Sequence, residues 1–409
     1  MEIGDIVIMM LPFIIFISCF MTLGFTYFGY LFYVKFCAKN DGLSSKLKTA
    51  KYLCQTISIV IPTYNEERVI AKKLANTMNL FDNRDPVEII VADDGSTDDT
   101  IRIIESLKKN FKNKIVLISH HKHEGKASVI NAACKNAKGE IIVITDADVF
   151  LPKESFLSLI SNFSDLDVGA VCGREIIVNP NDNFITRAEH NYRNFFHSRV
   201  NSEKKTDFPP IPFHGGLMAI RKQLYTDLPV DVIGDDHEIA LRVWRKGYRV
   251  IYDPNSIFWE YATQSLSEIY ESKKRRAYGV IQSLLTNRDL LFNKKAGGFG
   301  MVRFPILALE FLICPFAFFL GLTSLLFHII LTGDFMLVIF LIVMLLLIFA
   351  AIRPKEKGSL KDIFYMIFGV FIFQAAIAHA VLETLFGISK INWKKIEGQR
   401  PENDSLCLR

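Results

Sequence analysis

Residues 6–34 contain no Asp, Glu, Lys, Arg or His. The run exceeds the ~20 apolar residues that a helix needs to cross a bilayer, so it predicts a membrane span. Glu2 and Asp5 precede it, whereas Lys35, Lys39, Lys46, Lys48 and Lys51 follow. Positive charge gathers on the cytoplasmic side of spans, which places the N-terminus outside and the following chain in the cytoplasm. A second apolar region predicts spans at about 304–331, 335–352 and 363–388. Thr332, Gly333 and Asp334 form a minimal turn between the first two, and Arg353, Lys355, Lys357 and Lys361 mark the next connection as cytoplasmic. Three full crossings would carry Lys390, Lys394, Lys395, Arg400 and Arg409 outside, against the same rule, so two or three spans are expected. Glu310, His328, Gln374, His379 and Glu383 fall within them, where polar groups face a protein interior or a wet cavity.

Between residues 53 and 299 the pattern changes. Short, near-continuous apolar runs at 58–61, 88–91, 114–118 and 141–144 predict strands buried on both faces, as in a parallel sheet. The stretches 66–78, 98–109 and 126–137 between them have helical spacing. Alternation of this kind gives a doubly wound α/β domain, whose ligands bind beyond the carboxyl ends of the strands. The chain therefore divides into a span (1–36), a cytoplasmic domain (53–299), a membrane region (304–389) and a tail (390–409).

Composition sharpens this division. The 409 residues are 50% hydrophobic and 22% charged, which excludes both a mainly disordered chain and one apolar throughout. A net charge of +5 gives no case for nucleic acid as a partner. Seven cysteines occur without a CxxC pair or a His/Cys cluster, so they predict free thiols in a reducing compartment, not zinc or disulfides.

The chemistry lies at the strand ends. Pro62-Thr63-Tyr64-Asn65-Glu66-Glu67 follows the first strand, Asp93-Asp94-Gly95-Ser96 the second and Asp146-Ala147-Asp148 the fourth. Crowded carboxylates repel one another, and a purely structural sheet edge has little reason to hold them. Asp94-Gly95-Ser96 also suits a turn leading into a helix, with Ser96 as cap. Asp146 and Asp148, two apart in an extended chain, point the same way and can converge on one hard cation completed by phosphate oxygens and water.

In that order and spacing these motifs resemble the family 2 glycosyltransferases of the GT-A fold, in their membrane-anchored branch. The likeness continues through Glu124-Gly125-Lys126-Ala127 with Asn131, Gly215-Gly216 with Arg221, Gly234-Asp235-Asp236, and Gly247-Tyr248-Arg249. It implies an α/β GT-A domain, a mostly parallel doubly wound sheet, flanked by transmembrane helices at the cell membrane. It implies that Thr63, Tyr64 and Glu66 border the nucleoside, that Asp93 and Asp94 contact base and ribose, and that Lys126 lies near the nucleotide. Asp148, with Asp146 beside it, would hold Mg2+ or Mn2+ on the diphosphate of a nucleotide sugar, UDP-sugars being favoured. Asp236, the second acid of the pair Asp235-Asp236, takes the catalytic-base position, and Gly215 and Gly216 border the acceptor. The implied reaction is an inverting transfer to a lipid-linked glycan, a polyprenyl phosphate or a polysaccharide, beside membrane lipids.

One motif departs from the likeness. Processive members of the branch carry QxxRW at the membrane interface, where this chain reads Ser272-Lys273-Lys274-Arg275-Arg276. Arg275 is kept, and with Lys273, Lys274 and Arg276 it could clamp the diphosphate or meet anionic lipid. The aromatic residue that stacks on an acceptor sugar is absent there. A processive synthase of poly-N-acetylglucosamine or hyaluronan type is the alternative, and a non-catalytic membrane scaffold or transport protein a third. A nucleotidyltransferase would carry a Gly-rich loop where Pro62-Thr63-Tyr64-Asn65 stands.

Overall fold

The computed structural model describes residues 3–37, 55–82, 84–109, 114–203, 206, 208–336 and 360–388. Its centre is one seven-stranded sheet: β1 (Ile57–Thr63), β2 (Val87–Asp93), β3 (Ile115–Ser119), β4 (Ile141–Thr145), β5 (Val168–Ile177), β6 (Leu217–Arg221) and β7 (Arg249–Glu260). The strand order is β3-β2-β1-β4-β6-β5-β7. The four strands expected from apolar runs are β1 to β4, paired in parallel. Every residue of β1 and β4 is buried. Alternate residues go to opposite faces: Val60, Ile142 and Ile144 join one core, and Ile59, Ile61 and Val143 the other. Each such side chain contributes on the order of 2 kcal/mol by leaving water.

β6 is the exception to the parallel pattern, running antiparallel to both β4 and β5. Its reversal matters for the site. Thr145 at the end of β4 pairs with Leu217 at the start of β6, so Gly215-Gly216 lies beside Asp146, whose N–H reaches the Gly216 carbonyl at 3.4 Å.

Helices α3 (Ile70–Met78), α4 (Thr100–Lys108) and α5 (Lys126–Asn136) lie within the helical stretches read from the sequence, and α6 (Lys153–Ser161) follows β4 as a further helix. Between sheet and apolar helices lie α7 (Phe184–Glu203), α8 (Asp235–Arg245) and α9 (Leu266–Thr286). The N-terminal helix comprises α1 (Ile3–Gly24), a π turn at Phe25–Gly29 and α2 (Tyr30–Cys37). After the sheet come a π turn (Phe299–Arg303), α10 (Phe304–Ala308), a second π turn (Leu309–Ile313) and α11 (Cys314–Thr332). Both turns sit just before a proline, Pro305 or Pro315, and contain the carbonyl four residues earlier, which the ring would strike in a regular α-helix. The last described helix is α12 (Leu360–Leu385).

Among the described residues, three segments are long and apolar enough to cross a membrane: Met10–Phe36, Phe299–Thr332 and Ile367–Leu385. They match the spans expected at 6–34, 304–331 and 363–388. From residue 337 onward the span expected at 335–352 lies outside the described residues, as does the tail at 390–409. α1 packs on α11, while α12 packs on α7 and α9, joining the apolar helices to the domain.

Candidate active site

A cleft of about 450 Å³ opens over the ends of β1 and β4 and runs on between α7, α9 and the apolar helices. Tyr64, Glu66 and His123 line one end, Asp146, Asp148, Asp235 and Asp236 the middle, and Tyr192, Phe311 and Phe373 the other end. Lys126, Gly215, Gly216 and Arg275 line it too.

Thr63, Asp93 and Asp94 do not line it; all three are buried. The Asp93 carboxylate accepts from Gly95 N–H at 3.1 Å, Ser96 N–H at 3.0 Å and the Ser119 hydroxyl at 3.0 Å. Asp94 accepts from Glu124 N–H at 2.8 Å, Gly125 N–H at 2.9 Å and His123 Nδ1 at 2.7 Å. These acids thus brace the Tyr64–His123 end of the cleft from behind, with Asp93 Oδ1 buried and without a hydrogen-bond partner among the described residues. They tie the turn after β2 to the loop before α5, and Gly95 is required where they meet. Its φ is +73°, and a Cβ there would lie 2.7 Å from the Lys122 carbonyl carbon. Ser96 caps no helix; its hydroxyl accepts from Asn65 N–H at 2.8 Å. The site also gains a residue that the sequence reading missed. His123, held by Asp94, stacks on Tyr64 with ring centroids 4.2 Å apart.

The middle of the cleft is acidic. Lys126, the first residue of α5, reaches Asp146 at 2.8 Å and Asp235 at 3.7 Å, bridging the β4 loop to the start of α8. Burial draws its pKa down, but the Asp146 and Asp235 carboxylates hold it above its ordinary value. Burial pushes the Asp235 carboxyl up to about 6 against the pull of Lys126, with Asp236 and Asp146 adding to the rise. Neither Asp235 nor Asp236 caps α8, whose N-cap is Gly234, but both sit in its first turn, where the helix dipole favours negative charge. Asp236 Oδ1 accepts from His237 N–H at 2.8 Å, while His237 Nδ1 accepts from Phe213 N–H at 3.0 Å. Gly215 leaves room for this acid: a Cβ there would sit 3.0 Å from Asp236 Oδ2.

Among the described residues no three His, Cys, Asp or Glu side chains are grouped to hold a metal ion. Asp146 and Asp148 do share the cleft, which suits a cation held by one or two carboxylates and otherwise by phosphate and water. The surrounding charge fits as well. Burial raises the Glu260 carboxyl well above its usual range, and Glu175, Asp148 and Asp146 raise it further. A divalent cation relieves such repulsion.

The Asp146–Asp148 loop is held from below by α3. Lys73, fully buried, donates to Thr145 Oγ1 at 2.9 Å and the Val149 carbonyl at 2.5 Å. Asn76 exchanges two hydrogen bonds with the Leu151 backbone, at 2.9 and 3.0 Å. Burial draws the Lys73 ammonium down to about 7, although Asp146 and Asp148 pull it up. The signal was present in sequence: Lys73 sits on the buried stripe of α3 with Ile70, Leu74 and Thr77.

Of the basic cluster on α9, three members are paired internally. Lys273 meets Glu189 at 2.5 Å and lies 3.7 Å from the Tyr192 ring centroid; Lys274 meets Glu271 and Glu383 at 3.3 and 3.7 Å; Arg276 meets Glu260 at 3.4 Å. Arg275 lines the cleft with no carboxylate partner among the described residues. Of the polar groups expected within spans, Glu310 also lines the cleft, whereas Gln374 bonds Tyr27 and His379 bonds Tyr270.

A sequence model of the family described as Glycosyl transferase family 2 matches residues 58–228. A probable glycosyltransferase, YdaM of Bacillus subtilis (strain 168), is 28% identical over 229 residues, 54% of this chain and 54% of its own. The poly-beta-1,6-N-acetyl-D-glucosamine synthase of Staphylococcus aureus (strain COL) is 26% identical over 259 residues, 62% of this chain and 60% of its own. The chain thus spans little more than half the length of these relatives. The mannosyltransferase PcManGT of Pyrobaculum calidifontis, solved with GDP-Man and Mn2+, superposes over 92% of this chain and 99% of its own, with TM-score 0.68 and 23% identity. That likeness bears out the expected GT-A fold.

Proposed function

We propose that the chain, whose residues 58–228 match the model of glycosyl transferase family 2, is an inverting, metal-dependent enzyme moving a sugar from a nucleotide sugar to an acceptor at the membrane. One observation carries the reading. The Asp235-Asp236 pair at the start of α8 and the Asp146-Ala147-Asp148 loop after β4 line the same cleft, with Lys126 bridging them. In this reading Tyr64, His123 and Glu66 receive the nucleoside, with Thr63, Asp93 and Asp94 behind them. Asp148 and Asp146 hold Mg2+ or Mn2+, which when bound stabilises the departing diphosphate. Arg275 and Lys126 add positive charge beside that group. Gly215 keeps open the approach to Asp236, which accepts the proton of the attacking hydroxyl.

Transfer should fall by at least a hundredfold in Asp236→Asn, with nucleotide-sugar binding retained; undiminished transfer would refute the base assignment. Both UDP- and GDP-sugars belong in the donor panel, since the structurally similar mannosyltransferase was solved with GDP-Man. The domain faces the cytoplasm in this reading, as the lysines after the first apolar helix favour. The similar poly-N-acetylglucosamine synthase supports processive growth as the second reading. Product sizing separates the two: a ladder supports processivity, and a single added sugar excludes it.

A further inference from the structure

We infer that the acceptor is an uncharged glycan, seated by a sugar hydroxyl at Glu310 and by its ring on the aromatic wall between α7 and the apolar helices, and that a phosphate-headed lipid is not the acceptor. The inference rests on the reading of Asp236 as base and deepens it.

Charge is the first ground. Among the residues lining the cleft, carboxylates outnumber lysines and arginines two to one. Lys126, Arg193, Lys273 and Arg276 each hold a carboxylate already, at 2.8, 2.7, 2.5 and 3.4 Å respectively. Arg275 alone has no carboxylate partner among the described residues, and the donor's diphosphate has first claim on it. A second phosphate would enter a net acidic cavity unpaired, at a cost of several kcal/mol for a desolvated anion.

Glu310 is the second and independent ground. It is 5% exposed, sits in the π turn Leu309–Ile313 and lines the cleft. Its Oε1 takes Arg199 Nη1 at 2.7 Å, but its Oε2 is buried without a hydrogen-bond partner among the described residues. A buried carboxylate oxygen without a donor is costly, and it is built to accept a hydrogen bond, so it attracts a hydroxyl and repels a phosphate. Tyr192, Phe196, Phe311 and Phe373 line the same end; Lys273 and Arg199 lie over the Tyr192 and Phe196 rings, so Phe311 and Phe373 supply the apolar surface for the C–H face of a sugar.

The chemistry agrees. As a sugar hydroxyl attacks, its oxygen bonds the anomeric carbon while the bond from that carbon to the diphosphate oxygen breaks. The electron pair leaves with the diphosphate, and the hydroxyl proton passes to Asp236. A phosphate acceptor is already anionic at neutral pH, needs no base, and would be repelled by Asp236.

The test uses the full chain in phosphatidylcholine nanodiscs. The donor panel is read first as release of nucleoside diphosphate, and dodecyl maltoside and farnesyl phosphate are then offered separately. We expect dodecyl maltoside to raise release at least fivefold and to gain a sugar by mass spectrometry, with no product from farnesyl phosphate. Glu310→Gln should raise the KM for dodecyl maltoside about tenfold and leave the donor KM unchanged. Phe373→Ala, which keeps the Arg199 ion pair, should do the same. Glycosylation of farnesyl phosphate at an equal or greater rate would overturn the inference. So would release that neither acceptor accelerates, or a KM unmoved in both variants. Absence of release with every donor would instead sink the reading of the reaction itself.

Discussion

His123 and Asp235 show what single side chains contribute. His123→Ala removes both the 2.7 Å contact with Asp94 and the stack on Tyr64, so the nucleoside end loses one wall. The donor KM should rise about tenfold with kcat changed less than threefold, as steady-state kinetics would show. Asp235 gives a pH dependence whose sign follows from linkage. A carboxyl raised from 3.8 to about 6 keeps its proton longer in the folded chain than in the unfolded one. Its contribution therefore turns increasingly unfavourable as pH rises from about 4 to about 6, by up to about 3 kcal/mol. Without metal or nucleotide, Asp235→Asn should melt higher than the parent protein at pH 7, and the gap should close by pH 4. Thermal unfolding across that range would decide it. Asp235 sits in a motif read from the sequence, whereas His123 stands just before Glu124-Gly125-Lys126-Ala127 and was not read as part of the site. Histidine after a short strand carries no periodic signal, and the contact that gives it meaning comes from Asp94, twenty-nine positions away.

At the scale of elements, α3 and β6 set the geometry around the Asp146–Asp148 loop from opposite sides. Lys73→Met would leave the Val149 carbonyl and the Thr145 hydroxyl without their buried donor, each worth about 1–3 kcal/mol. The metal concentration for half-maximal nucleotide binding should rise severalfold, measured by titration calorimetry, with partial recovery in Lys73→Arg. Gly215→Ala places a methyl 3.0 Å from Asp236 Oδ2 and should lower kcat at least tenfold with donor binding kept. The strands β1 to β4 were legible because a strand buried on both faces writes a continuous apolar run. β6 was not, since antiparallel insertion between β4 and β5 depends on pairing partners far along the chain. Likewise the resemblance implied base and ribose contacts for Asp93 and Asp94. Nothing local reveals that the backbone of the next two loops takes both oxygens of Asp94 and one of Asp93.

For the whole molecule, the link between domain and apolar helices is polar as well as apolar. Arg199 of α7 pairs with Glu310 at 2.7 Å, and Glu203 lies 3.4 Å from Arg303 Nε, whose guanidinium also donates to the Ile211 carbonyl. Removing one member leaves an uncompensated buried charge. Glu203→Gln should therefore cost about 3–5 kcal/mol and lower the melting temperature of detergent-solubilised protein. The apolar helices were legible from length and lack of charge alone. Their docking was not: the arginines and glutamates that fasten them lie on segments that read, singly, as ordinary polar helix.

The reversed strand has one more consequence. One half of the cleft is made by the loops that follow the parallel strands β1 and β4. The facing half is assembled from distant parts of the chain: Tyr192 and Phe196 from α7 between β5 and β6, Asp235 and Asp236 from α8, and Glu310, Phe311 and Phe373 from the apolar helices. The β5–β6 excursion is tied to the sheet at its two ends and supplies only one of these parts. In the proposed reading a new acceptor therefore calls for matched changes in α7 and the apolar helices together, not for one grafted segment.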